Sequence, residues 1–174
     1  MSNSGDDNWP AKRVTDIPPI AKVSVGQILG LLEAVDEVGG TADVATISRE
    51  VDMDVDRLGP ILAAAEFLGL LAVDEGDVRM TDLSRKLFLA NVRERKRIFR
   101  GIIEELPVFR RITEMAQQAG RSLDRREIVE VIARNVGSHQ ADDVFKALIY
   151  WGRYVELVQY DSQTEQFGLR TPSR

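Results

Sequence analysis

His139 is the only histidine in the chain, and there is no cysteine. The side chains that most often serve as nucleophile, general base or soft metal ligand are therefore nearly absent. A zinc site would have to be built from carboxylates almost alone, and imidazole acid–base chemistry would rest on a single residue. His139 follows Ser138 at the expected start of a helix, where a surface or capping role suits it. The adjacent carboxylates Glu104 and Glu105 point in different directions on a helix, as do Asp142 and Asp143, so neither couple makes an acid/base pair. No G-x-x-x-x-G-K-[ST] phosphate loop occurs, and Gly26, Gly30, Gly39 and Gly40 read as positions of helix packing and termination. These residues argue against nucleotide hydrolysis and thiolate chemistry, call for no cofactor or metal, and imply a non-catalytic protein.

Positive charge offers more. Arg93, Arg95, Lys96, Arg97 and Arg100 crowd one predicted helix, and Arg110 and Arg111 follow beyond Pro107. Such a run could meet an acidic partner or phosphates. The same spacing also describes an ordinary amphipathic surface helix, with Arg93 and Arg97 at i and i+4 while Phe99 and Ile103 face elsewhere. These seven residues are the candidate partner-binding set. The tract Trp151-Gly152-Arg153-Tyr154 holds two aromatics and a guanidinium; a ligand cage is one reading. The other is structural: Trp151 fills the core, Gly152 ends a helix and Tyr154 starts a strand.

Periodicity supplies the elements that would position these groups. Val25, Ile28, Leu29, Leu32 and Val35 share one helical face, with Ser24 as cap and Gly39-Gly40 as stop. Val44, Ile47 and Val51 mark a shorter helix. Leu58, Ile61, Leu62, Ala65 and Leu68 mark a third, ending at Gly69, in which Pro60 forces either a start near Asp56 or a bend. Leu70 to Val73 and Val78 to Met80 flank a turn-rich insert and read as a hairpin. After a Thr81-capped helix, Asn91 caps another along Phe99, Ile102, Ile103 and Leu106, and a further helix runs to Gly120. Asp124 with Glu127 has capping-box spacing. Ser138 is expected to cap a last helix ending at Gly152, before a hairpin of Tyr154 to Tyr160 and Glu165 to Leu169.

Three helices followed by a hairpin is the winged-helix order, and it occurs twice. The predicted class is mainly α with small β-hairpins (α+β), as two winged-helix-like units packed together. Residues 1–20, rich in Ser, Asn, Asp and Pro, read as a tail or linker. Residues 21–90 form a first unit with its following helix, and residues 91–170 a second. Phe67-Leu68-Gly69 and Tyr150-Trp151-Gly152 are expected to close equivalent helices.

The net charge of −5 hides an asymmetry. Between Ala21 and Ala90 there are thirteen Asp/Glu against six Lys/Arg, and between Asn91 and Tyr160 ten against thirteen. Such asymmetry can orient an inter-domain or inter-chain contact. It also bears on DNA. The first recognition-helix position offers Asp54, Asp56, Arg57 and Glu66, and its wing Asp74, Glu75 and Asp77. The second offers Gln140, Asp142, Asp143 and Lys146, with Glu156, Asp161 and Glu165 on its hairpin. Both sets repel phosphate, which makes DNA the minority partner. With neither an apolar run of membrane-spanning length nor a signal-peptide core, a cytoplasmic location without direct membrane insertion is expected.

Several of these segments together resemble a known family. Ile17-Pro18-Pro19, Ser24 to Glu33, Ala63 to Gly69, Arg93 to Lys96, and Trp151 to Leu157 with Tyr160-Asp161 are similar to the AAA-associated C-terminal domain, over about Ile17 to Leu169. In that family the domain follows the ATP-binding cassette in ATPase subunits of nitrate-, sulfonate-, taurine- and bicarbonate-type ABC importers. The resemblance implies a helical accessory domain beside an ATPase, peripheral to a membrane transporter. It carries over no functional residues. The cassette that normally precedes the domain is missing, as expected of a free-standing member or the excised end of a longer subunit. The implied partner is an ABC-type ATPase or transporter subunit, with a second copy (a homodimer) or a small signalling ligand as further options. A winged-helix transcriptional regulator is the alternative function.

Overall fold

The computed structural model describes residues 23–170, so the expected tail, Trp9 and the Ile17-Pro18-Pro19 segment lie outside the described residues. Helix α1 (Val25–Glu37) opens on a capping box. Gln27 N donates to Ser24 Oγ at 3.2 Å, and Ser24 N donates to Gln27 Oε1 at 2.9 Å, satisfying two of the amides a helix start leaves free. Its buried face includes Val25, Ile28, Leu31, Leu32 and Val35, with Leu29 only partly covered. Gly39 and Gly40, at φ 96° and 83°, stop it. Then come β1 (Thr41–Asp43), α2 (Val44–Glu50), α3 (Val55–Phe67), β2 (Leu71–Asp74) and β3 (Asp77–Met80). Pro60 lies inside α3, which starts at Val55, beside the expected start near Asp56.

Two helices follow, α4 (Asp82–Leu89) and α5 (Val92–Glu105). The opening order then returns as α6 (Pro107–Ala119), β4 (Leu123–Asp124), α7 (Arg125–Val136), α8 (Ser138–Tyr154), β5 (Val158–Asp161) and β6 (Gln166–Leu169). The two antiparallel sheets have the same strand order, β1-β3-β2 and β4-β6-β5. Equivalent bonds close them: Val44 N donates to Gly76 O and Arg125 N to Glu165 O, each at 3.0 Å. The chain is therefore mainly α with two small sheets, and one buried apolar cluster runs from Val23 to Phe167 through both sets.

Three local expectations fail at α8. Ser138 is its first residue, not its cap; Gly137, at φ 89°, holds the cap position. Gly152 does not end the helix, which continues through it to Tyr154, so Tyr154 starts no strand and β5 begins at Val158. The closing bonds explain why. Leu70 N donates to Ala65 O, and Leu157 N to Gly152 O, both at 2.9 Å. The counterpart of Phe67-Leu68-Gly69 is thus Tyr154-Val155-Glu156, with Glu156 at φ 58° where the first set has Gly69 at 73°. A glutamate in the left-handed region leaves no glycine signal for the helix end.

A carboxylate fixes the start of α7. Arg121 Nη2 and Nη1 donate to Glu127 Oε1 and Oε2 at 2.7 and 3.0 Å, and Asp124 N donates to Glu127 Oε2 at 2.9 Å. The guanidinium first, and the amide after it, hold the Glu127 carboxyl at about 2, against an ordinary 4.5. Since the folded form holds its proton less tightly than the unfolded chain, this stabilisation is complete above pH 4.5 and is lost as pH falls toward 2. Asp43 and Asp161 shift the same way, through bonds from Thr46 and from the Gln163 and Thr164 amides. Glu127→Gln is expected to make the loss of stability between pH 4.5 and 2 shallower, as read by urea midpoints across that range.

Candidate functional site

The structure sorts the seven candidate cations by what each touches. Asn91 opens α5 with a capping box to Glu94, and the apolar stripe of Phe99 and Ile103 is buried. Arg95 turns back onto α4, donating from Nε to Leu87 O at 3.3 Å and from Nη2 to Phe88 O at 3.2 Å. It caps the carbonyl end of one helix from the next and locks the α4–α5 corner. Lys96, half-buried, lies 5.9 Å from the centre of the Tyr154 ring and 4.0 Å from Glu156 Oε1. Arg100 Nε donates to Glu104 at 2.8 Å, and Arg110 Nη2 to Glu105 at 2.7 Å. The neighbouring carboxylates Glu104 and Glu105 thus serve different arginines. Asp142 and Asp143 diverge similarly, Asp142 engaging Arg125 and Lys146. Arg93, Arg97 and Arg111 are exposed, with no ion-pair partner among the described residues.

Two surfaces emerge from this sorting. Arg100 and Arg110 meet Arg170 along a groove of about 590 Å³ between α5, α6 and the second sheet, floored by Leu157 and Leu169. Glu104 and Glu114 also line it, so its charge is largely balanced internally. The second surface is the α4–α5 corner. Leu89 is 89% exposed and Val92 70% exposed there, beside Arg93 and Arg97. Sequence reading missed this apolar pair: Leu89 falls off the Leu83–Leu87 stripe of α4, which is a signal, but Val92 falls in line with the Phe99–Ile103 stripe of α5 and gives none.

The other singled-out groups are structural or exposed. Trp151 is fully buried, and its Nε1 donates to Val23 O at 2.9 Å; Tyr154 packs edge-on against Phe99 at 5.7 Å between centroids. Trp151 and Gly152 are thus core and Tyr154 is half-buried, whereas Arg153 is exposed and donates from Nη2 to Tyr160 O at 2.6 Å. His139 sits exposed in the first turn of α8. Among the described residues, no three His, Cys, Asp or Glu side chains gather where they could hold a metal ion, and no helix is long and apolar enough to cross a membrane.

The fold and its surfaces define a helical domain with two like-ordered helix–sheet sets, which leaves charges of both signs and a few large apolar side chains exposed among the described residues. Residues 45–161 match the family model of the C-terminal AAA-associated domain, and the chain belongs to that family. Its description makes it an accessory domain linked to an ATPase. The match opens inside α2 and closes at the end of β5, leaving out the Ser24–Glu33 helix segment that contributed to the resemblance. No curated protein and no solved structure matches the chain.

Proposed function

We propose that the chain is a non-catalytic accessory domain that regulates an ABC-type ATPase subunit through protein contacts. The family match over residues 45–161 carries the reading. The exposed corner with Leu89, Val92, Arg93 and Arg97 supports it, because large apolar side chains beside unpaired cations suit a macromolecular contact. Regulation of this kind needs no chemistry in the domain. A docked domain favours one ATPase conformation only to the extent that it binds that conformation more tightly than the other. The location in this reading is cytoplasmic, peripheral to a transporter.

The twice-repeated order of helix, short strand, two helices and hairpin supports a description as two winged-helix units, over 21–90 and 91–170, and with it the alternative of a DNA-binding regulator. Charge argues the other way. Asp54, Asp56, Asp74, Glu75 and Asp77 are all exposed on the first set, where phosphates would have to approach. Both readings face one experiment: binding of the purified chain, at about physiological salt, to a cassette ATPase subunit from the same cell, with duplex DNA in parallel. The expected outcome is saturable binding that changes ATP turnover, and no DNA binding. Duplex binding that weakens steeply with salt, without ATPase contact, would reverse the order of the two readings.

A further inference from the structure

The sequence divides into an acidic first half and a basic second half, and the structure shows where the two signs are left uncompensated. Four large apolar side chains stand exposed among the described residues: Val55 at 51%, Leu89 at 89%, Val92 at 70% and Tyr150 at 48%. Leu89 and Val92 are separated only by Ala90 and Asn91, so they share one corner. That corner is held in shape by the Arg95 bonds to Leu87 and Phe88 and by the Asn91–Glu94 capping box. Around it Lys86, Arg93 and Arg97 are exposed with no ion-pair partner among the described residues, Arg95 bonds only uncharged carbonyls, and Glu94 leaves a local balance of +3.

Val55 is the opposite case. It is the first residue of α3, and Asp52, Asp54 and Asp56 around it are exposed and likewise without ion-pair partners among the described residues. Arg57 brings the local balance to −2. Ser24, Asp43, Thr81, Asn91 and Asp124 all spend their side chains on capping the helices they precede. Asp54, in the same position before α3, makes no such bond, so its carboxylate is available to another group. An apolar pair ringed by cations and an apolar residue ringed by carboxylates are complementary in both respects that stabilise a contact.

We propose that the α4–α5 corner of one copy of this chain docks on the acidic start of α3 of a second copy, with Leu89 and Val92 against Val55, and Arg93 and Arg97 facing Asp54 and Asp56. The contact unites two different surfaces, so it closes as a pair only where the symmetry lets both engage, and otherwise extends from copy to copy. The same corner supports the ATPase reading, so a second copy and an ATPase would compete for it, and self-association is tested on the chain alone.

Sedimentation equilibrium of the purified chain tests it. The expected result is reversible self-association that weakens about tenfold or more between low and high salt, because the facing charges are exposed and screened. Arg93→Glu with Arg97→Glu is expected to leave a monomer, and Asp54→Lys with Asp56→Lys is expected to do the same. A 1:1 mixture of those two variants should then associate again, since each supplies the surface the other lacks. Leu89→Ser with Val92→Ser should weaken association at unchanged charge. Far-UV circular dichroism checks the fold of each variant, and Asp54→Asn with Asp56→Asn is the milder substitute should the lysines unsettle α3. A chain that stays monomeric, association that survives either reversal, or a mixture of folded variants that stays monomeric would overturn the proposal.

Discussion

Trp151→Ala is expected to cost the fold about 3–5 kcal/mol, the range for removing a fully buried large aromatic side chain. The ring is completely covered in the last turn of α8, and its loss opens a cavity that the surrounding helices can close only in part. Its indole N–H matters separately. Trp151 Nε1 donates to Val23 O at 2.9 Å in the interior, 128 residues away in sequence, fastening the segment that leads into α1 to the last helix of the second set. Trp151→Phe keeps most of the apolar volume and strands that carbonyl, which costs about 1–3 kcal/mol when the acceptor stays buried. Urea unfolding followed by far-UV circular dichroism separates the two contributions. The expected ranking is wild type, then Phe, then Ala, each with one cooperative transition. An alanine variant as stable as wild type would mean that the two sets do not share the core in which this ring sits.

What the sequence disclosed was decided within a few residues. Asp124 with Glu127 is a capping box whose members lie three apart, so spacing alone identifies it, whereas Ser24 and Asn91 read only as caps and the structure supplies their partners Gln27 and Glu94. Both hairpins were legible from turn-rich inserts between apolar runs, although the second begins at Val158 rather than at Tyr154. Strands β1 and β4 were not: at three and two residues they are too short to show alternation, and they exist only because Thr41 meets Arg79 and Leu123 meets Phe167 from far along the chain. The candidate site divides along the same line. The sequence assembles seven cations, but it cannot tell Arg95, spent on the α4 carbonyls, from Arg93 and Arg97, which remain exposed. That distinction depends on the angle between α4 and α5. The exposure of Leu89 and Val92 depends on it too, whereas Arg170 arrives beside Arg100 and Arg110 through the packing of the second sheet on α6.

Gly152→Ala is expected to destabilise the chain by about 1–3 kcal/mol, as overpacking does, although alanine is the better helix former. A methyl built at Gly152 would lie 2.6 Å from Val158 Cγ2, 3.3 Å from its Cγ1 and 3.1 Å from Phe109 Cζ. Both neighbours are buried, and a β-branched valine has little freedom to rotate away. Gly101, on the exposed side of α5, has no atom within 4 Å of the same built methyl. Gly101→Ala should therefore stabilise, by about 0.5–1 kcal/mol from the helix preference alone. The sign change separates a glycine kept for close approach of α8 to β5 and α6 from one merely tolerated in a helix. The first set makes the comparison sharper, because Ala65 holds the place of Gly152 in the helix-closing bonds and is itself fully buried; that set accommodates the methyl that the second excludes. If Val158 is the obstacle, Gly152→Ala should cost less in a Val158→Ala background, with a coupling of about 1 kcal/mol or more between the two positions in a double-mutant cycle. Additive effects would instead place the obstacle at Phe109, the ring that approaches the same point from α6.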